Sequence, residues 1–220
     1  MGRKSGYILT HLTAMPMPDA SNITRQTYER AAQAMLDALA PKPLAPYASH
    51  HAHLISRFAG RPSMRALIMG FGAATMIRQF ADDGAAPVGL DFSPSALMWL
   101  RRQTDAPLVC ADIRRLPFAR SNFDAIYADA LLGHIARSEF DETVRGIRDA
   151  LRPGGVLGVR LKLGEGEGLH SHKSGKGQVW RTYWSQKDFI ERLYALDFDL
   201  RHEQDITAAQ QVFLILRREY

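Results

Sequence analysis

The sequence predicts an α/β protein built on a doubly wound, mostly parallel sheet, and three observations lead there. From Arg65 onward, short apolar runs bounded by turn residues alternate with segments of helical length, the signature of repeated strand–helix units. Several of these runs end in Gly or Asp, the residue types that line the crevice beyond the carboxyl ends of parallel strands. The chain has 220 residues, 46% of them hydrophobic, enough to bury one ordinary core without metal or disulfide staples.

The first twenty residues, with Met15-Pro16-Met17-Pro18, read as an irregular arm because proline removes backbone donors. A single domain over residues 21–220 follows. A helix capped by Asn22 or Thr24 should run to Leu39 before Pro41 and Pro43, and a second should span residues 47–58. Together, residues 21–60 are expected to form a helical lid beside a core at 65–220. Strands are expected at residues 66–70, 86–91, 107–112, 122–129 and 156–161. Ser93 caps the helix after the second strand, with Pro94 at its first position, where a missing N–H costs nothing. Helices should cover residues 138–151 and 185–196, the latter capped by Ser185. Residues 199–206 and 210–218 can pair as a closing antiparallel hairpin. Residues 164–178, GEGEGLHSHKSGKGQ, read as a long loop of the kind that serves as a lid or binding segment.

Several chemically apt residues fall at the strand ends. Gly70 and Gly72 permit a tight turn and close backbone approach to a ligand. Asp91 follows about twenty residues later, the separation at which a carboxylate reaches a ribose. Asp112 can accept from an adenine amino group while Ile113 packs on the base, and Asp129 ends the fourth strand. The run Gly70-Phe71-Gly72-Ala73-Ala74-Thr75 lacks the third glycine of a pyrophosphate-binding turn, which disfavours nicotinamide and flavin dinucleotides. No Walker A phosphate loop occurs.

In this order, ALIMGFGAAT, VGLDFSPSAL, LVCADIRRLPF, FDAIYADALLGHI and ALRPGGVL resemble the consecutive motifs of the class I S-adenosylmethionine-dependent methyltransferases, particularly the small-molecule type. The resemblance covers roughly residues 24 to 200. It implies a Rossmann-like sheet of seven strands with the last one antiparallel, and S-adenosylmethionine as cofactor. It places Gly70 and Gly72 on the methionine and ribose side, Asp91 with Phe92 at the ribose, Asp112 with Ile113 at the adenine, and Asp129, Ala130 or Leu131 at the pocket floor. Ile68 stands where the family usually has an acidic residue, and Ala74 where it usually has a third glycine.

Methyl transfer from a sulfonium is an in-line displacement, so positioning supplies much of the acceleration and a base is optional. His134 is the candidate base, and Tyr28 resembles a tyrosine of the family's amino-terminal lid that contacts donor or acceptor. Arg181, Tyr183 and Trp184, after the long loop, are expected at the acceptor entrance, where Arg181 can pair with an acidic substrate and the aromatics can stack on a planar one. A small molecule with a nitrogen or oxygen nucleophile is the expected partner. A catalytically silent cofactor binder and an RNA- or protein-methylating enzyme are the alternatives. Net charge is +5, but the arginines near the fifth strand are interleaved with Glu139, Asp141, Glu142 and Asp149, which argues against a phosphate track. His50, His51, His53, His170 and His172 match no catalytic metal spacing, so no metal is expected. A single cysteine, Cys110, and the lack of a long apolar run fit a cytoplasmic protein, monomer or homodimer, without a membrane span.

Overall fold

The computed structural model describes residues 20–37, 47–61, 63–70, 74–206 and 210–219. The amino-terminal arm, Pro41, Pro43 and Gly72 lie outside the described residues. Two helices, α1 (Ala20–Asp37) and α2 (Ala48–Ala59), precede β1 (Arg65–Met69). Then follow α3 (Ala74–Asp82), β2 (Ala86–Asp91), α4 (Pro94–Arg101), β3 (Leu108–Cys110), β4 (Phe123–Asp129), α5 (Arg137–Ala150) and β5 (Leu151–Lys162). The chain closes with β6 (Glu167–Ser171), β7 (Gln178–Thr182), α6 (Gln186–Tyr194), β8 (Phe198–Ile206) and β9 (Gln211–Arg218).

Seven strands form one sheet in the order β3-β2-β1-β4-β5-β9-β8. The first five are parallel, and β9 inserts antiparallel between β5 and β8. This is the doubly wound, Rossmann-like arrangement, with the strand order reversing between β1 and β4. Alternate residues of each strand serve opposite faces, because side chains in a strand repeat every two positions. Leu67 and Met69 join a core with Phe140, Val144 and Ile147 of α5 and Phe189 and Leu193 of α6. Ala66 and Ile68 join a second core with Ile55 of α2 and Ile77 and Phe80 of α3. Full burial of each such large side chain contributes roughly 1.5–3 kcal/mol, which is why the central strands read as unbroken apolar runs.

Two expectations need correcting. The segment at 164–178 is no structureless loop: β6 and β7 pair as an antiparallel hairpin, with Glu167 opposite Thr182 and Ser171 opposite Gln178. Its sequence hid the strand because β6 has no buried residue, so there is no apolar alternation to read. The lid is also smaller than residues 21–60. Only α1 lies over the strand ends, touching α4 and β7, whereas α2 packs on α3, β4 and β5 as a layer of the core. α2 seats deeply because β5 carries Gly158 beneath it. A Cβ at Gly158 would lie 2.5 Å from Ile55 Cδ1 and 3.1 Å from Tyr127 Cδ2. Gly158→Ala is therefore expected to lift α2 and destabilise the protein by about 1–3 kcal/mol, read as a lower urea midpoint with an unchanged slope.

Candidate functional site

The site is assembled where the parallel strands end. Gly70 follows β1 with φ +97, a conformation that a side chain would strain, and a Cβ there would meet nothing closer than Leu131 Cδ1 at 3.8 Å. Its N–H donates to the Leu90 carbonyl at 2.8 Å, fixing the turn against β2. Asp91, at the end of β2, is only 6% exposed. Its Oδ1 accepts from the Ser93 amide at 2.8 Å, while Ser93 itself caps α4 by accepting from the Ala96 amide at 3.0 Å. Beyond β3, Asp112 caps a short 3-10 turn and accepts from the Arg114 amide at 2.9 Å.

A cavity of about 510 Å³ opens between these strand ends and α1. Phe92, Asp112, Ile113, Leu131 and His134 line it from the sheet side, and Thr24 and Arg25 from α1. Five residues singled out in the sequence (Phe92, Asp112, Ile113, Leu131 and His134) thus share one concavity. Gly70 and Asp91 stand at the ends of neighbouring strands paired in register.

What holds α1 over the crevice was not legible in the sequence. Thr24 sits in the second turn of α1 rather than at its cap, and its Oγ1 accepts from the Trp180 amide at 2.8 Å. Thr27 Oγ1 donates to the Gln178 carbonyl at 2.7 Å. Two helix hydroxyls therefore satisfy the open edge of β7. On the other flank, Glu29 accepts from Ser93 Oγ at 2.5 Å and from the hydroxyl and amide of Ser95, at the amino terminus of α4. Burial would raise the Glu29 carboxyl, but those hydrogen bonds outweigh it and hold it below its ordinary range. Arg114 ties the third corner, donating to Ser21 Oγ at 2.7 Å, to Glu139 at 2.9 Å and to both oxygens of Asp112. Burial raises Asp112, and the Arg114 contacts more than reverse it, so the carboxyl lies low and stays ionised. The only sequence hint was a pair of threonines three apart on α1, and both are buried.

Tyr28, one turn beyond Thr24, meets His134: the hydroxyl lies 2.8 Å from Nε2. The other ring nitrogen, Nδ1, lies 2.7 Å from the Trp180 carbonyl. Nδ1–H must donate to that carbonyl, which leaves Nε2 as the acceptor and the Tyr28 hydroxyl as its donor. Burial, reinforced by the Arg181 charge, pushes His134 down to about 4, so the ring is neutral at pH 7. That corrects the expectation of a histidine poised near neutrality. The Tyr28 hydroxyl is raised by burial. Phe92, His134 and His172 each present an edge-type contact to the Tyr28 ring, at centroid distances of 6.2, 5.2 and 5.0 Å.

The remaining candidates divide. Asp129 is already engaged: Arg160 Nε lies 2.5 Å from Oδ1, and the Tyr47 hydroxyl donates to Oδ2 at 2.9 Å. Ala130 adopts φ +52, turning the chain toward Leu131 and His134. Tyr183 is half-buried, its ring edge-on to His170 at 5.5 Å. Trp184 is not at the entrance. It packs into the core against Phe140 and Phe189, with the Arg137 guanidinium 4.1 Å above its ring. The residue faces inward because β7 ends at Thr182 and the chain then turns into α6. His50 and His53 are exposed, whereas His51 turns inward and stacks on Phe213 at 3.7 Å. No helix among the described residues is long and apolar enough to cross a membrane.

Residues 66–155 match the family described as a methyltransferase domain. The matched segment runs from β1 to the start of β5, the part of the sheet whose strand ends build the crevice. Among curated proteins, the demethylmenaquinone methyltransferase of Beutenbergia cavernae is 34% identical over 109 residues, 48% of this chain and 43% of that protein. The malonyl-[acyl-carrier protein] O-methyltransferase of Enterobacter lignolyticus is 32% identical over 105 residues, 47% of this chain and 41% of that protein. The chain thus matches less than half the length of these curated relatives. Among solved structures, the 1,6-didemethyltoxoflavin-N1-methyltransferase of Burkholderia thailandensis, with bound 1,6-didemethyltoxoflavin and S-adenosylhomocysteine, superposes with TM-score 0.71 at 15% identity. That match covers 97% of this chain and 99% of the other. The [4+2]-cyclase SpnF has the same fold, with TM-score 0.69 at 18% identity over 89% of this chain and 96% of its own.

Two histidines in desolvated surroundings set an acid limit on this fold. His134 and His51 titrate near 4 and 3 when folded, the latter pushed down chiefly by burial, against about 6.5 when unfolded. The unfolded chain then binds more protons between those values. Stability is expected to be complete above about pH 6.5 and to fall steadily toward about pH 4, checked by urea unfolding across that range. Glu29→Ala removes three acceptor contacts at the α4 terminus and should cost about 1–3 kcal/mol. Its second readout is faster amide hydrogen exchange in α1.

Proposed function

We propose that this protein transfers the methyl group of S-adenosylmethionine to a nitrogen or oxygen atom of a small molecule held beneath α1. The observation that carries the reading is the cavity in which Asp112, Ile113, Phe92 and His134 converge, with Phe92 directly following Asp91 at the end of β2. The residues present fit that cofactor. Asp91 Oδ1 accepts from the Ser93 amide, and an ionised carboxylate, with about four lone-pair sites, is the acceptor type that holds sugar hydroxyls. Asp112 stays ionised and borders the cavity beside the apolar Ile113, a pairing suited to an amino-bearing planar base. Gly70 leaves open space where the chain turns beneath them. When bound, the cofactor supplies a methyl group made electrophilic by its sulfonium.

The chain's own contribution is positioning. α1 covers the crevice and excludes water, and its closure is fixed by Glu29, Thr24 and Thr27. His134, neutral and locked in one tautomer by the Trp180 carbonyl, holds the Tyr28 hydroxyl over the site. At about 4 its basicity is too low to remove a proton from an alcohol or an ammonium efficiently at pH 7, since a general base works best with a pKa near the operating pH. We therefore assign His134 as the positioning residue of Tyr28, and assign Tyr28 as the group facing donor and acceptor.

A second reading, a cofactor-binding protein that does not transfer methyl groups, is favoured by one observation. Ile68, where the family usually carries an acid, is fully buried in the core and offers nothing to a methionine ammonium. Calorimetry with S-adenosylhomocysteine followed by an acceptor screen separates the readings: binding and turnover support methyl transfer, and binding without turnover across the screen supports the second. Asp91→Ala is expected to weaken S-adenosylhomocysteine by about 1.5–3 kcal/mol, the worth of hydrogen bonds to a charged group. Tyr28→Phe and His134→Ala should each lower kcat while leaving that affinity within about twofold. The double variant should be no slower than the worse single one, because the two side chains act as one unit. Additive losses in steady-state kinetics would separate their roles.

A further inference from the structure

Seven arginines are half-buried among the described residues, and six of them are accounted for. Arg114, Arg148, Arg152 and Arg160 are ion-paired, and Arg217 and Arg218 donate to backbone carbonyls. The seventh, Arg181 on β7, makes neither an ion pair nor a side-chain hydrogen bond with any described residue. A partly desolvated cation without a counter-charge is costly, and a guanidinium presents five donors in a rigid fork matched to a carboxylate.

Its location gives that vacancy a direction. Arg181 directly follows Trp180, whose carbonyl accepts from His134, so β7 carries it next to the Tyr28–His134 pair, and its charge acts on Tyr28, His134 and His172. Phe92 and His172 each meet the Tyr28 ring edge-on, which gathers planar side chains beside the hydroxyl. The turn between β6 and β7 adds His172, Lys173 and Lys176 and carries no acidic residue, while the carboxylate that acts on Tyr28 from the other side is Asp91 at the end of β2.

We propose that Arg181 anchors the carboxylate of a planar, acidic acceptor, a reading that rests on the assignment of this crevice to methyl transfer. The anchor forms no covalent bond. It orients the acceptor so that a second atom of the same molecule faces the donor.

The test uses the full chain saturated with S-adenosylhomocysteine. One- and two-ring aromatic carboxylic acids, each beside its primary amide, are titrated by calorimetry into the wild type, Arg181→Gln and Arg181→Lys. At least one acid should bind about tenfold or more tightly than its amide, the preference should vanish in Arg181→Gln, and Arg181→Lys should restore part of it. Equal affinity for acid and amide, no binding of any acid, or an unaltered preference in Arg181→Gln overturns the proposal. A further control addresses the donor's own carboxylate. If Arg181→Gln weakens S-adenosylhomocysteine but not methylthioadenosine, which lacks that carboxylate, Arg181 belongs to the donor and the proposal fails. Failure of the wild type to bind S-adenosylhomocysteine at all sinks the methyl-transfer reading itself, a result distinct from the others.

Discussion

The crevice depends on a helix held in place by polar contacts. α1 reaches the rest of the molecule through hydroxyls and a carboxylate as much as through apolar burial. Thr24 and Thr27 complete the hydrogen bonding of β7, and Glu29 answers the unsatisfied amides at the start of α4. An edge strand and a helix terminus each leave backbone groups that must find partners, and here the same helix supplies both. Polar contacts of this kind are directional and are exchangeable for water at modest net free energy. A cover held this way closes in one register yet opens without unfolding a core, which suits an element that must admit a ligand.

The same contacts decide the chemistry open to His134. Its Nδ1–H is committed to a carbonyl of β7, and β7 is in turn held by α1, so the tautomer and the Tyr28 hydrogen bond share one support. A buried, neutral imidazole flanked by an arginine is a poor proton acceptor but a rigid one. The methyl transfer proposed for this crevice would be a direct displacement, which draws mainly on approach geometry, so rigidity would be the more useful property.

The fold alone leaves the reaction open, as its likeness to both an N1-methyltransferase and a [4+2]-cyclase illustrates. What distinguishes this chain is local: a fully buried isoleucine at position 68, an arginine on β7 with no counter-ion among the described residues, and an aromatic cluster around Tyr28. Each is a feature of side chains grafted on a shared scaffold, and each bears on what is bound rather than on how the sheet is wound.

The order of strands and helices, the central parallel sheet and the placement of Asp91, Asp112 and His134 at strand ends were all written in the sequence. Their signals are local: apolar period, capping residues and glycine positions act within a few neighbours along the chain. The β6–β7 hairpin, the division of labour between α1 and α2, the inward turn of Trp184 and the meeting of Tyr28 with His134 were decided only by tertiary structure. The hairpin lacks the apolar alternation that marks a strand, and Tyr28 meets a partner 106 residues away, through polar groups whose helical or loop preference says nothing about what they will touch. A sequence marks which residues can bond, and only the packed chain brings the matching groups within reach.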